Sequence, residues 1–251
     1  MTADAVLTER RGHVLLITLN RTHAMNAITT ELGEGLLAAA TELDADAELR
    51  VGVLTGAGPG FCAGMDLKVF TEMGNPGGIE QFIQTPVRKP MIAAIENFAV
   101  AGGLEIALTC DLLVASAGAK LGIPEATVGL FAGGGGLLRL PRRLPYSVAM
   151  EMALTGQPIS AELAFQYGLV CRLVDKGDAL RVALELAMTI AANSPQGVLG
   201  SKQMVRESQG RTEDEFWAYQ APVLRAALCS SDAREGAKAF AEKRSPVWTG
   251  Q

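Results

Sequence analysis

Two continuous apolar runs, residues 51–55 and 91–95, limit what this chain can fold into more than any other feature. Each is too short for a stable helix and lacks alternation, which fits a strand buried on both faces. The first run is closed by Gly56-Ala57-Gly58-Pro59-Gly60. Before it, Leu32, Leu36, Leu37, Ala40 and Leu43 recur at helical spacing through residues 29–46, with Thr29 or Thr30 as the cap. Earlier still, β-branched runs at 6–8 and 14–19 flank Arg11-Gly12 and read as a hairpin whose second strand ends at Asn20. Strand, helix and strand in that order predict a layered α/β arrangement. With 251 residues, 49% of them hydrophobic, the chain can bury one large domain, or a domain with an appendage.

The second apolar run leads into Ala99-Val100-Ala101-Gly102-Gly103-Leu104-Glu105, and after Cys110-Asp111 another strand, 112–115, follows. Gly102 and Gly103 open a predicted helix with bare amides, and Glu105 lies one turn inside. Such a helix start can hold a negatively charged oxygen beside a carboxylate. Residues 61–68 follow the earlier glycine-rich turn; their small side chains permit a tight backbone, and Asp66 favours a helix after it. Between 69 and 87 the periodicity fades and 74–78 reads as a mobile loop, either lining a substrate entrance or simply connecting. Pro124 fixes the backbone before a second carboxylate, Glu125. The run Gly133 to Gly136 lacks the Lys-Ser/Thr of a P-loop and the spacing of a dinucleotide fingerprint, so close backbone packing near a ligand is its better explanation.

The remainder is mostly helical: 148–154, 160–167, a strand at 169–174, then 179–192. Ser194-Pro195 marks a boundary, beyond which 198–207, 212–228 and 231–243 are three helices with no strand among them. Thr212 and Glu215 fit a capping box. The expected division is therefore a core over 1–194 and a helical region over 195–251, available for subunit packing.

Composition excludes several functions. A net charge of −5 argues against a nucleic-acid binder. Arg21, Lys68 and Arg142-Arg143 are either solvated or local phosphate contacts. Cys62, Cys110, Cys171 and Cys229 form no CxxC, and His13 and His23 lack ligand spacing, so no metal site is expected. Cys110 and Cys171 read as small core residues. The polar start lacks the pattern of a secretion signal and no run reaches membrane-span length, which predicts a cytoplasmic protein without membrane partners. Glu105 and Glu125 lie among apolar or small residues. Each fits a partnered structural acid as well as a catalytic one.

In order along the chain, these pieces resemble the enoyl-CoA hydratase/isomerase, or crotonase, superfamily. The likeness rests on Asn20 with Met25-Asn26-Ala27, Leu54-Thr55-Gly56, Phe61-Cys62-Ala63-Gly64-Met65-Asp66-Leu67, Lys89-Pro90, Gly102-Gly103-Leu104-Glu105, Cys110-Asp111, Pro124-Glu125 and Gly129. It continues through Ala153-Leu154-Thr155-Gly156, Ala164 with Gly168-Leu169-Val170, and Phe240-Ala241-Glu242-Lys243-Arg244, covering nearly the whole chain.

The resemblance implies a crotonase-like α/β spiral of ββα units with a C-terminal α-helical region that builds homotrimers or pairs of trimers. It implies an acyl-CoA thioester substrate and no cofactor, CoA being part of the substrate. The backbone N–H groups of Met65 and Gly102 would form an oxyanion hole, with Glu105 activating water and Glu125 protonating the α carbon, as in the hydratase branch. Two neighbouring carboxylates tend not to ionise together, which leaves one available as an acid. CoA would bend over His23-Ala24-Met25 and the stretch Ala63, Met65, Asp66, Leu67 and Lys68, with Gly133 also among the substrate contacts and Lys243 reaching from an adjacent subunit. Lys68 and Lys243 fit ordinary surface lysines equally well. Leu130-Phe131-Ala132 and Leu137-Leu138 depart from the family pattern and point to a more apolar pocket. The expected activity is reversible hydration of a trans-2-enoyl-CoA; the rivals are another crotonase-type isomerisation or dehydration, and a catalytically silent acyl-CoA-binding protein.

Overall fold

The computed structural model describes residues 4–73 and 78–250, with the side chains of Leu67, Lys68 and Met73 outside that description. The chain begins with an antiparallel hairpin, β1 (Val6–Arg11) and β2 (Val14–Leu19), followed by α1 (Thr30–Ala45), whose cap is the Thr29 side chain. Next come β3 (Val51–Gly56), α2 (Leu67–Met73), α3 (Ile79–Gln84), β4 (Met91–Ile95), β5 (Phe98–Val100), α4 (Gly102–Ala107), β6 (Leu112–Ser116) and β7 (Lys120–Gly122). A 3-10 turn (Pro124–Val128), α5 (Gly136–Arg139), a second 3-10 turn (Leu140–Arg142), α6 (Tyr146–Thr155), β8 (Ile159–Ser160), α7 (Ala161–Gln166), β9 (Arg172–Val174) and α8 (Ala179–Ala191) complete the core.

The main sheet has the order β1-β2-β3-β4-β6-β9 and is parallel from β2 onward. Every residue of β4 is buried, as expected of a strand covered on both faces. On one face Val14, Leu16, Val51, Val53, Ile92 and Ala94 meet α8, which presents Ala179, Ala183, Ala187 and Ala191. That four-residue alanine spacing keeps one helix face thin, so α8 lies close to the strands. The other face packs on Leu32, Leu36 and Leu43 of α1, each side chain worth about 1.5–3 kcal/mol on burial.

A second ladder runs inside the first. β5 pairs with β7 in parallel and β7 with β8 antiparallel, while single parallel bridges join Cys62 to Ala99 and Ile28 to Met65. The chain thus repeats one move: an outer strand, a short inner pairing, then a helix. This happens at β2–Ile28–α1, at β3–Cys62–α2 and at β4–β5–α4. The helix starts stack at the same end of successive turns.

Two expectations need correction. Residues 69–87 are not irregular: they hold α2 and α3, and α3 buries Ile79, Phe82 and Ile83 at helical spacing, while 74–77 lie outside the described residues. The strand expected over 169–174 shrinks to β9, because the Leu169 and Val170 amides both donate to the Ala164 carbonyl at the end of α7. Cys171 is accordingly half-buried, whereas Cys110 is buried as expected.

Three further helices follow, α9 (Pro195–Glu207), α10 (Glu213–Cys229) and α11 (Ser231–Glu242). Ser194 caps α9 with Pro195 at its first position, and Thr212 and Glu215 form the capping box of α10. The cap of α11 is Ser230. Buried Asp232 accepts from Ser194 Oγ at 2.9 Å and from the Thr249 and Gly250 amides at 2.9 and 3.1 Å, pinning the tail to the boundary. Lys202 of α9 donates to Asp111 at 2.7 Å and to the Lys89 carbonyl at 2.8 Å, tying this region to the core. Among the described residues no helix is long and apolar enough to cross a membrane.

Candidate active site

The inner ladder brings two chain segments together at the start of α4. Gly64 has φ +91°, a conformation that favours glycine, and a Cβ there would sit 2.6 Å from the Ala101 Cβ and 3.3 Å from the Gly102 nitrogen. A Cβ on Gly103 would collide with the Cys62 carbonyl. Only small residues therefore allow the 62–65 turn and the 101–103 helix start to lie side by side. Ala101 itself has φ +51°, a position that costs a non-glycine residue about 1–3 kcal/mol. Gly102 opens α4, so its N–H has no partner within the helix. The amides flanking Met65 face the Ile28 strand, with Ile28 N–H donating to Gly64 and Asp66 N–H to Ile28. Among the described residues the Met65 and Gly102 amides have no backbone acceptor.

The turn is braced from below. Buried Asn26 donates to the carbonyls of Ala57, Gly60 and Phe61 at 2.9–3.1 Å and accepts from the Arg21 amide at 2.9 Å. Arg21 donates to the Ala27 carbonyl and pairs with Asp66 at 3.4 Å. Burial pushes the Cys62 thiol up to about 12, so it stays neutral; it donates to the Asn26 carbonyl at 3.1 Å.

Glu105 is buried on α4. Its Oε1 accepts from the Gly136 N–H at 2.9 Å. Burial raises its pKa, opposed by the Gly136 and Gly134 amides and by the Arg139 guanidinium. A Cβ at Gly134 would stand 2.5 Å from Glu105 Oε2, which explains the glycine run as a cradle for this carboxylate. Glu125 sits in the 3-10 turn after Pro124, and its Oε2 is buried without a partner among the described residues. Burial, reinforced by the Glu105 charge, raises its pKa to about 7, with only its own backbone N–H opposing. Burial raises both carboxylates; loop amides and a guanidinium oppose the rise at Glu105, whereas at Glu125 only its own amide opposes it and the Glu105 charge adds to it.

The remaining expected contacts are more dispersed. His23 and Ala24 form a 3-10 turn, His23 exposed and Ala24 half-buried. The Met25 carbonyl accepts from the Ala63 amide at 3.1 Å, setting this segment beside Ala63, Met65 and Asp66. The backbone of Leu67 and Lys68 opens α2, while their side chains lie outside the described set. Gly133 is exposed at the outer edge of the glycine loop. Lys243 ends α11 in the left-handed conformation, exposed, and among the described residues it has no side-chain bond to the site. Among the described residues no three His, Cys, Asp or Glu side chains cluster as metal ligands would.

An apolar cavity of about 390 Å³ lies next to the Glu125 turn, lined by Ile123, Ala126, Phe131, Leu137, Tyr146 and Leu154 among others. Phe131 is 76% exposed. Of the Leu130-Phe131-Ala132 and Leu137-Leu138 departures, Phe131, Ala132 and Leu137 form part of its apolar wall, and Leu130 and Leu138 do not line it. Sequence reasoning missed Arg139 as a site residue. Its partners are main-chain carbonyls, which leave no trace in side-chain patterns.

A buried Glu105 and a half-buried Glu125, set in a spiral of outer strand, inner strand and helix, place the chain in a mixed α/β class. The chain belongs to the enoyl-CoA hydratase/isomerase family, whose model matches residues 9–251. It is 41% identical to enoyl-CoA hydratase EchA19 of Mycobacterium tuberculosis, over 96% of this chain and 94% of that one. Carnitinyl-CoA dehydratase of Salmonella typhi is 37% identical, over 99% and 100% of the two chains. The crystal structure of enoyl-CoA hydratase EchA1 from Mycobacterium marinum superposes with a TM-score of 0.95 at 49% identity, covering 99% of this chain and 100% of that one. The fold is thus the crotonase spiral that the sequence motifs imply.

Proposed function

We propose that the protein is an enoyl-CoA hydratase, adding water reversibly to a trans-2-enoyl-CoA to give a 3-hydroxyacyl-CoA. The observation that carries this reading is the pair Glu105 and Glu125, close enough for the Glu105 charge to act on Glu125, with burial raising both and loop amides and Arg139 opposing that rise at Glu105. The Met65 and Gly102 amides hold the thioester oxygen as it gains enolate charge; losing one such donor costs about 3–4 kcal/mol of transition-state stabilisation. Ionised Glu105 accepts a proton from water as the oxygen bonds to the β carbon. The electron pair of the double bond moves toward the thioester, and protonated Glu125 delivers its proton to the α carbon. One proton is gained by the Glu105–Glu125 pair and one is lost, so transfer between them resets the site.

This chemistry calls on no metal or redox cofactor, with CoA carried by the substrate. His23, Ala24, Met25, Ala63, Asp66, Leu67, Lys68 and Gly133 would contact the acyl-CoA substrate, and Lys243 a phosphate of the CoA bound to a neighbouring subunit. The helices over 195–251 expose Leu224, Leu228 and Phe240, the last at 88%, which supports a homotrimer or a dimer of trimers built through them. Four free cysteines fit a cytoplasmic setting. A second reading, dehydration of a specialised hydroxyacyl-CoA, draws on the likeness to carnitinyl-CoA dehydratase. Product analysis across enoyl- and hydroxyacyl-CoAs of graded length tests both: hydration of unsubstituted enoyl-CoAs supports the first, turnover of a substituted hydroxyacyl-CoA alone the second.

A further inference from the structure

Arg139 ends α5 and is half-buried, yet no described carboxylate forms an ion pair with it. Its guanidinium instead clamps two carbonyls: Nη1 donates to Gly134 at 3.1 Å and Nη2 to Ile83, near the end of α3, at 2.7 Å. The fit is tight. A Cβ on Gly135 would overlap Nη1, and Gly135 has φ +95°, so the loop is shaped around the guanidinium. The same loop places the Gly136 N–H on Glu105 Oε1 and leaves only 2.5 Å between a Gly134 Cβ and Oε2.

We infer that Arg139 is a positioning residue for the reaction, locking the glycine loop to α3 so that the loop amides hold Glu105 in place as the base. A planar fork with fixed donors suits a clamp across two carbonyls, which a lysine ammonium reproduces only in part. Glu105 is faced by the Gly134 and Gly136 amides, by Arg139 and by Glu125. Arg139 is in turn faced by Glu105 and by Arg142, Arg143 and Arg206. Burial and then the surrounding cations disfavour charge on Arg139, and the loop carbonyls satisfy its donors.

The inference rests on the reading of Glu105 as the base, so its test includes a measurement independent of turnover. Carboxylate NMR follows the Glu105 titration in a Glu125→Gln background, with and without Arg139→Gln. The expected result is a Glu105 proton affinity raised about tenfold or more by Arg139→Gln, because a nearby opposite charge and a loop amide are both weakened. With Glu125 intact, Arg139→Gln should lower kcat about 10²-fold at little changed KM and move the acid limb of the kcat profile to higher pH, with Arg139→Lys intermediate. A folded Arg139→Gln protein with an unmoved Glu105 titration and an unmoved acid limb overturns the inference. Should Arg139→Gln fail to fold, Arg139→Lys decides, and an unchanged kcat and titration in that variant overturn it equally. If the parent turns over no enoyl-CoA while Arg139→Gln still moves the Glu105 titration, the hydratase reading falls and the positioning role stands.

Discussion

The Gly136 N–H donates to Glu105 Oε1 across 2.9 Å, so the carboxylate on α4 is held by a loop thirty-one residues further along the chain. Glu105 lies in the first turn of a short helix, but its orientation comes from this distant amide rather than from its own neighbours.

Substituting Gly134 by Ala would place a methyl 2.5 Å from Glu105 Oε2. The carboxylate or the loop must shift by a sizeable fraction of an ångström. Steady-state kinetics should show kcat down about 10²-fold, with thioester binding preserved. An equally active Gly134→Ala enzyme would mean that the glycine cradle has no catalytic role.

Glu125, with its pKa raised to about 7, sets the alkaline limb of hydration and dehydration alike, because each direction uses the carboxylate pair carrying one proton. The kcat/KM values for hydration and dehydration should fall together as pH rises through about 7, keeping a constant ratio, because loss of the shared proton disables both directions. Stability follows the same sign: a carboxyl whose folded pKa is raised contributes most below its unfolded value and loses that contribution as pH climbs through the folded one. Glu125→Gln should therefore gain stability relative to the parent between about pH 5 and about pH 8 in urea titrations. A constant difference across that range would contradict the burial of an ionisable Glu125.

Lys202 bonds Asp111 at 2.7 Å with little solvent at the lysine and more at the aspartate. Lys202→Met leaves Asp111 without its cation, though the Met91 amide still donates to it at 2.8 Å. The expected loss is about 2–3 kcal/mol in denaturant unfolding, somewhat below the figure for a fully buried pair. A loss under about 0.5 kcal/mol would show that this link between α9 and the core is weak.

Phe240 and Leu228 are exposed in the protomer, by 88% and 68%. If they pack between subunits, replacing both with Asp should shift the mass in light scattering from a trimer or hexamer to a monomer. Retention of the parent mass would move the interface away from α10 and α11.

Much of this architecture can be read from the sequence because local rules were decisive. Thr29 caps α1, Thr212 and Glu215 box α10, and the 51–55 and 91–95 runs become β3 and β4. The inner ladder was not legible: β5 and β7 are three residues each and β8 two, too short to carry an alternating pattern. The helix α3 is too short for its periodicity to show and is held by packing onto α1, whereas Asp66 does mark the start of α2. Among site residues, Glu105 and Glu125 stood out as carboxylates among apolar neighbours. Arg139 did not, since its bond to Ile83 spans fifty-six residues and ends on a carbonyl.

Glu105 and Glu125 are proposed to act together on an enoyl thioester. Hydration of crotonyl-CoA by the parent and by Glu125→Gln, followed through loss of the enoyl absorbance, tests it most directly. The parent should turn over and the variant should lose about 10²–10⁴-fold, with binding of the thioester retained. Near-normal turnover by Glu125→Gln would contradict it.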